Sequence, residues 1–200
     1  MAITYPLATP TSIGIESIEL RAVNAVAVSQ SPFTYKQQVI SHGGQRWEAS
    51  VSIASVHRDK AAQWKSMLVA LKGQAGTFLL GDPDYATPQG TCSILIVSGS
   101  AGDETVSANM AGTLKAGDYF QIGTGASSKL YTVLKDVTGL GTGTTVSLEI
   151  WPALRNPHSG ATAIFNSPKG VFRLSTNLTS WSINNASTYG ISFEAVEAIV

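Results

Sequence analysis

The 200 residues carry 13 basic and 13 acidic side chains, so the net charge is zero and the charged fraction is 13%, against roughly 25% in ordinary soluble chains. With no basic excess to neutralise phosphates, sequence-specific nucleic-acid binding is not expected, and no apolar run approaches the roughly 18 residues that cross a bilayer. A surface so poor in charge protects a free monomer badly against association, which predicts that partners cover much of it.

Taken in chain order, Ile13–Ala27 reads as a first strand, and Phe33–Ile40 as a second. In the next, Trp47, Ala49, Val51 and Ile53 alternate with Glu48, Ser50, Ser52 and Ala54, the pattern of a half-buried antiparallel strand. Gly43-Gly44 between these two predicts a hairpin turn there. Arg58–Leu71 carries the strongest helix signal: Ala61, Trp64, Leu68 and Leu71 recur at helical spacing, and Met67 widens the stripe. Asp59 suits the first turn and Gly73 the stop, which bounds the helix at residues 58–72. Further strands are expected at Thr77–Leu80, Ser93–Val97, Tyr119–Ile122, Leu130–Leu134, Val146–Trp151, Gly170–Leu174, Ser180–Ile183 and Ile191–Ala198.

Two turn-rich stretches, residues 81–90 and 156–160, bracket a segment dense in Gly, Ser and Thr. The predicted fold is therefore mainly β. Residues 1–92 and 166–200 form a β-sandwich with one α-helix, and residues 93–165 are inserted as a small β-barrel. Insertion at an exposed turn is tolerated because loop-closure entropy grows slowly with length. One continuous sandwich with long hairpins is the other arrangement compatible with the pattern.

The search for chemistry yields no catalytic, cofactor-binding or metal-binding residue. His42, His57 and His158 have no second ligand at a metal-binding spacing. Ser98 lies in Val97-Ser98-Gly99-Ser100, which does not match the nucleophile elbow. Gly139-Leu140-Gly141-Thr142-Gly143 lacks the lysine and the following helix of a phosphate loop and reads as a hairpin turn. Asp103-Glu104 reads as a solvated pair. The lone Cys92 has no basic neighbour in sequence, cannot form an internal disulfide, and fits synthesis in a reducing cytosol. No basic region followed by an apolar one opens the chain, so secretion is not expected, and the glycosylation patterns at Asn177 and Asn185-Ala186-Ser187 read as chance matches.

Lys72-Gly73-Gln74-Ala75-Gly76-Thr77-Phe78-Leu79-Leu80-Gly81-Asp82-Pro83, following Trp64, Leu68 and Leu71, resembles the matching stretch of distal tail or minor tail-tip proteins of long non-contractile-tailed bacteriophages. Four more segments extend the resemblance over most of residues 58–200. These are Leu114–Tyr119, Leu148–Arg155, Pro168–Leu174 and Thr188–Ala195. The resemblance implies a virion structural protein, made in the host bacterial cytoplasm, that forms a homo-oligomeric ring of six subunits. The ring would join the tail tube protein to the tail-tip hub or baseplate proteins, with residues 1–92 and 166–200 lining the channel and the insert pointing outward. The channel face should lack a basic stripe, because DNA would pass without specific contact.

Two other classes compete. A glycan-binding accessory module for host adsorption would need exposed aromatics on the insert, and Tyr119, Phe120, Tyr131 and Trp151 are the candidates. A wall hydrolase would need a carboxylate pair or metal cluster, which the sequence does not supply.

Overall fold

The computed structural model describes residues 3–11, 14–185 and 187–199, with side chains for all of these except 140 and 142–144. The strand expected from Ile13 thus begins outside the described residues. The elements in chain order are β1 (Leu7–Ala8), β2 (Ile15–Gln30), β3 (Gln37–His57), α1 (Arg58–Ala70), β4 (Phe78–Leu80), β5 (Ile94–Gly99), β6 (Thr105–Leu114), β7 (Tyr119–Ile122), β8 (Lys129–Val133), β9 (Val137–Trp151), β10 (His158–Ile164), β11 (Gly170–Leu174), β12 (Trp181–Ile183) and β13 (Thr188–Glu197).

These elements make a mainly β fold with one helix and a small closed barrel. Among the described residues, β1, β4, β11, β13, β3 and β2 lie side by side in that order, with β12 added to β13, in one seven-stranded sheet. Strands β5 to β10 close on themselves in the order β10, β5, β6, β9, β8, β7. Closure depends on β10, which pairs with β5 through Ala161 and Thr162 and then with β7 through Ala163 and Ile164. A closed barrel leaves no free edge, so its strands need no outside partner.

The sheet is amphipathic because β3 is. Trp47, Ala49, Val51 and Ile53 are buried, and α1 covers that face with Ala61, Trp64, Met67 and Leu68, joined by Leu71 just past its end. The helix needs that cover, since 13 residues are marginal alone in water. The layer a sandwich requires opposite the sheet comes from α1 and from the outer wall of the barrel: Tyr119, Leu130 and Trp151 pack into the same cluster. A second cluster fills the barrel, including Leu95, Val97, Met110, Phe120, Tyr131 and Leu148.

Three local expectations are corrected. The hairpin turn is not at Gly43-Gly44 but at residues 31–36, where Ser31 N–H donates to Lys36 O at 3.0 Å and Pro32 sits without needing a ladder bond. Gly43-Gly44 lies inside β3 as a bulge: Asn24 faces Gln45 while Val26 faces Ser41, and Gly43 takes φ +69°. Residues 139–143 likewise do not turn the chain. They bulge within β9, since Leu140 faces Ala111 and Thr145 faces Asn109, with Gly141 at φ +112°. The helix stops at Ala70 because Lys72, and not Gly73 alone, adopts the left-handed conformation.

Candidate functional site

The most exposed apolar part of the molecule is the outer half of the β2–β3 hairpin. Every residue from Asn24 to Gly44 is exposed except Ser31, which is half-buried. Between Asn24 and Gln45 the sequence holds one charged side chain, Lys36, besides His42. Cross-strand register puts Val26, Val28 and Val39 on one face and Ala27 and Ile40 on the other. At the tip, Phe33 is 90% and Tyr35 74% exposed. Seven strand residues, Asn24 to Gln30, project the arm on the order of 20 Å from the sheet at about 3.3 Å each. A two-stranded ribbon of this kind is marginal by itself in water. Natural free strands are guarded by lysines, prolines or inward charges, and this one has almost none.

The base of the arm, by contrast, is firmly fastened. Trp151 Nε1 donates to Asn24 Oδ1 at 2.9 Å, and Gln45 accepts Ala153 N–H on its side-chain oxygen at 2.6 Å while donating through Nε2 to Glu104 Oε1 at 2.9 Å. Arg155 Nη2 donates to both Gln45 O and Glu197 Oε2, each at 2.7 Å, and its Nε reaches Glu197 Oε1 at 3.2 Å. Glu197 Oε2 also accepts the Trp47 backbone N–H at 3.1 Å. Beside it, Lys129 Nζ donates to Ala198 O at 2.9 Å, and burial pulls this ammonium below its ordinary range. Trp47 completes the junction by donating from Nε1 to Leu130 O at 3.0 Å and meeting Trp151 edge-on at 4.5 Å. Barrel, sheet and arm base are therefore one hydrogen-bonded unit.

A second buried carboxylate, Asp118, holds the connection into the barrel. It accepts Tyr85 O–H at 3.1 Å and backbone N–H groups of Gln89, Gly90 and Lys115 at 2.8, 3.3 and 2.8 Å. Its position is filled by structural donors. Burial, then Asp118, raises the Tyr85 phenol far above its ordinary value.

The structure places the residues singled out in the sequence far from one another. His42 lies in the arm, His57 just before α1, and His158 at the start of β10. Among the described residues no group of three His, Cys, Asp or Glu is placed to hold a metal ion. Cys92 is buried with its thiol donating to Ile94 O at 3.3 Å, and burial pushes the thiol up, away from the thiolate. Asp103 and Glu104, read as a solvated pair, have separate tasks: Asp103 accepts Ser100 N–H at 2.6 Å, and Glu104 holds Gln45. Phe120 and Tyr131 are buried and stacked at 5.3 Å inside the barrel. Tyr119 and Trp151 face outward but pack on Trp47, so none of the four offers an open stacking platform. The second glycosylation pattern includes Ala186, outside the described residues.

Sequence reasoning overlooked Asn24, Gln45, Arg155 and Glu197. One signal was available for Glu197: it shares a strand face with Ala195, which the period-two pattern points inward. No protein-family model matches the chain, and no curated protein is significantly similar to it.

Proposed function

We propose that this chain is a structural subunit of a ring at the tip of a bacteriophage tail, joining the tail tube to the tip or baseplate. The observation that carries the reading is the arm: a nearly uncharged β-ribbon, exposed on both faces, rising from a base fixed to the barrel by side-chain hydrogen bonds. A monomer gains nothing from displaying Val26, Val28, Phe33 and Tyr35 to water, whereas a subunit that hands this ribbon to its neighbour covers it. One such heterologous contact, repeated around an axis, closes a ring. The low charge of the chain and its segment-by-segment resemblance to tail-tip proteins support the same reading, with six copies as the expected number.

In this assembly the sheet with α1 builds the ring, with residues 1–92 and 166–200 as its domain, and the barrel of residues 93–165 points outward. We assign it no catalytic role, metal or cofactor. Imaging of assembled tails that contain this chain tests the proposal. A closed ring around the tail axis is expected; a single copy, or a position on a fibre away from the axis, overturns it. The glycan-binding alternative has less support, because its candidate aromatics are already packed.

A further inference from the structure

A ring contact needs a receiving surface, and the sheet has a gap that fits. On the edge of β13, β11 pairs with Ala195–Glu197 and β12 with Tyr189–Ile191, so the edge at Ser192–Glu194 lies between them. Ser175 N–H reaches Glu194 O there, but the rest of that edge opens into a groove in which Leu68, Leu174, Leu178 and Phe193 are set among serine and threonine side chains. The groove encloses about 260 Å³, less than the 300–1,000 Å³ of sites for drug-sized molecules and suited to one or two side chains. Leu178 on its rim is 80% exposed, and the carboxylate-bearing Glu194 lines its mouth.

The hairpin tip is the complement of this groove. Phe33 is the most exposed large apolar side chain described in the chain, and the turn that presents it also carries Lys36, the single charged side chain of the arm. Apolar rim and acidic mouth on one surface thus match an apolar tip and a basic neighbour on another.

We propose that the hairpin tip of one copy seats in the gap between β11 and β12 of the next, with Phe33 entering the groove and Lys36 facing Glu194. This rests on the ring reading and adds to it the identity of the two patches. The contact is heterologous, so each copy offers one tip and one groove, and a ring forms where the repeated rotation closes.

Disulfide trapping on the full chain tests it. Phe33→Cys with Leu178→Cys, concentrated and oxidised, should give a ladder of covalent oligomers, whereas each single variant should give at most a dimer. Both positions are exposed, and Cys92 is buried, so neither the fold nor the native thiol interferes. In parallel, Lys36→Glu and Glu194→Lys should each weaken association by about tenfold, and the double variant should regain it. Oligomers that form without a ladder, and without rescue in the charge swap, overturn the docking and leave the ring reading standing. A fast-migrating monomer, meaning the tip reaches its own groove, also overturns it. So does a monomer at every concentration with no ladder, and the ring reading is then decided on assembled tails alone.

Discussion

Arg155 and Glu197 form a bidentate ion pair, closest at 2.7 Å, in which the carboxylate is only 2% exposed. The pair spans two parts of the molecule: Arg155 follows the last residues of β9, and Glu197 ends β13. Because Arg155 also holds Gln45 O, the same guanidinium fixes the foot of the exposed arm. Removing one buried partner leaves the other charge unpaired, which costs about 3–5 kcal/mol. Arg155→Met should therefore destabilise by about that amount in urea unfolding. Arg155→Met with Glu197→Leu should recover part of the loss, because the carboxylate is no longer orphaned, although the buried Lys129 then lacks its counter-charge. A double variant as weak as the single one would show that the hydrogen bonds to Gln45 and Trp47, not the charges, dominate the junction.

Trp64 is fully buried between α1 and the sheet, 6.0 Å from Phe193, yet its indole N–H finds no acceptor among the described residues. The two halves of this side chain thus act in opposite directions. Trp64→Ala should cost about 3–5 kcal/mol for the cavity it leaves. Trp64→Phe loses part of the packing but removes a buried donor whose desolvation costs about 1–3 kcal/mol. It should fall within about 1 kcal/mol of the parent. Equal losses in the two variants would mean that the N–H does have a partner in solution.

Much of this architecture was legible in the sequence, and the failures have separate causes. Strong alternation at Trp47–Ile53 and the helical stripe from Ala61 to Leu71 announced their elements, since each buries one face. Strand β6 was missed because its inward residues include Ala108 and its sequence, Thr105–Leu114, is diluted by small and polar side chains. The glycines misled twice, at 43–44 and 139–143, because a bulge and a turn use the same positive φ and only the partner strand decides between them. The junction residues were illegible for a different reason. Asn24, Gln45 and Arg155 lie far apart in sequence and look like ordinary polar surface until the barrel, which carries Arg155, docks on the sheet.

That docking alters what deletion of the insert should do. Tyr119, Leu130 and Trp151 complete the core beneath Trp47, and Arg155 neutralises Glu197. Excising residues 93–165 and bridging with a Gly/Ser linker should leave a remainder with markedly reduced stability. Adding Trp47→Gln should recover part of it by making the uncovered face more polar. Circular dichroism melts of the two deletion variants check this. A remainder that melts with the full chain would show that the barrel contributes nothing to the sheet.

Three tyrosines set the alkaline limit. Burial raises the phenols of Tyr85, Tyr119 and Tyr131 above the ordinary 10.0. Above pH 10 the unfolded chain releases these protons while the folded chain keeps them, so the folded state binds more protons and stability falls as pH rises. Lys129 acts in the opposite sense: its folded pKa is lowered, so stability gains as pH climbs from that value toward the ordinary 10.5. The buried Cys92 thiol, also raised from its ordinary 9.0, offsets that gain above about pH 9, so the melting temperature should stay nearly level there and drop steeply beyond about pH 10. Tyr85→Phe should make the drop shallower. If tyrosinate absorbance at 295 nm rose fully before any unfolding signal, the phenols would be exposed and the account wrong.

The arm separates assembly from folding, which allows the two to be tested apart. Val28 and Val39 face each other on one side of the ribbon, 58% and 60% exposed, and touch no part of the core. Surface substitutions away from packing usually shift stability by no more than about 0.5 kcal/mol. Val28→Lys with Val39→Glu keeps the net charge at zero and places opposite charges across the strand pair, which the ribbon tolerates. The fold should therefore survive with an unchanged melt. Association is a different matter, because covering the ribbon would now bury two charges in an apolar contact, and truncated or unsatisfied charges there are costly. The double variant should stay monomeric by light scattering and fail to enter assembled tails, at concentrations where the parent associates and is incorporated. A variant that melts normally and still assembles would show that this face of the arm remains in water within the ring.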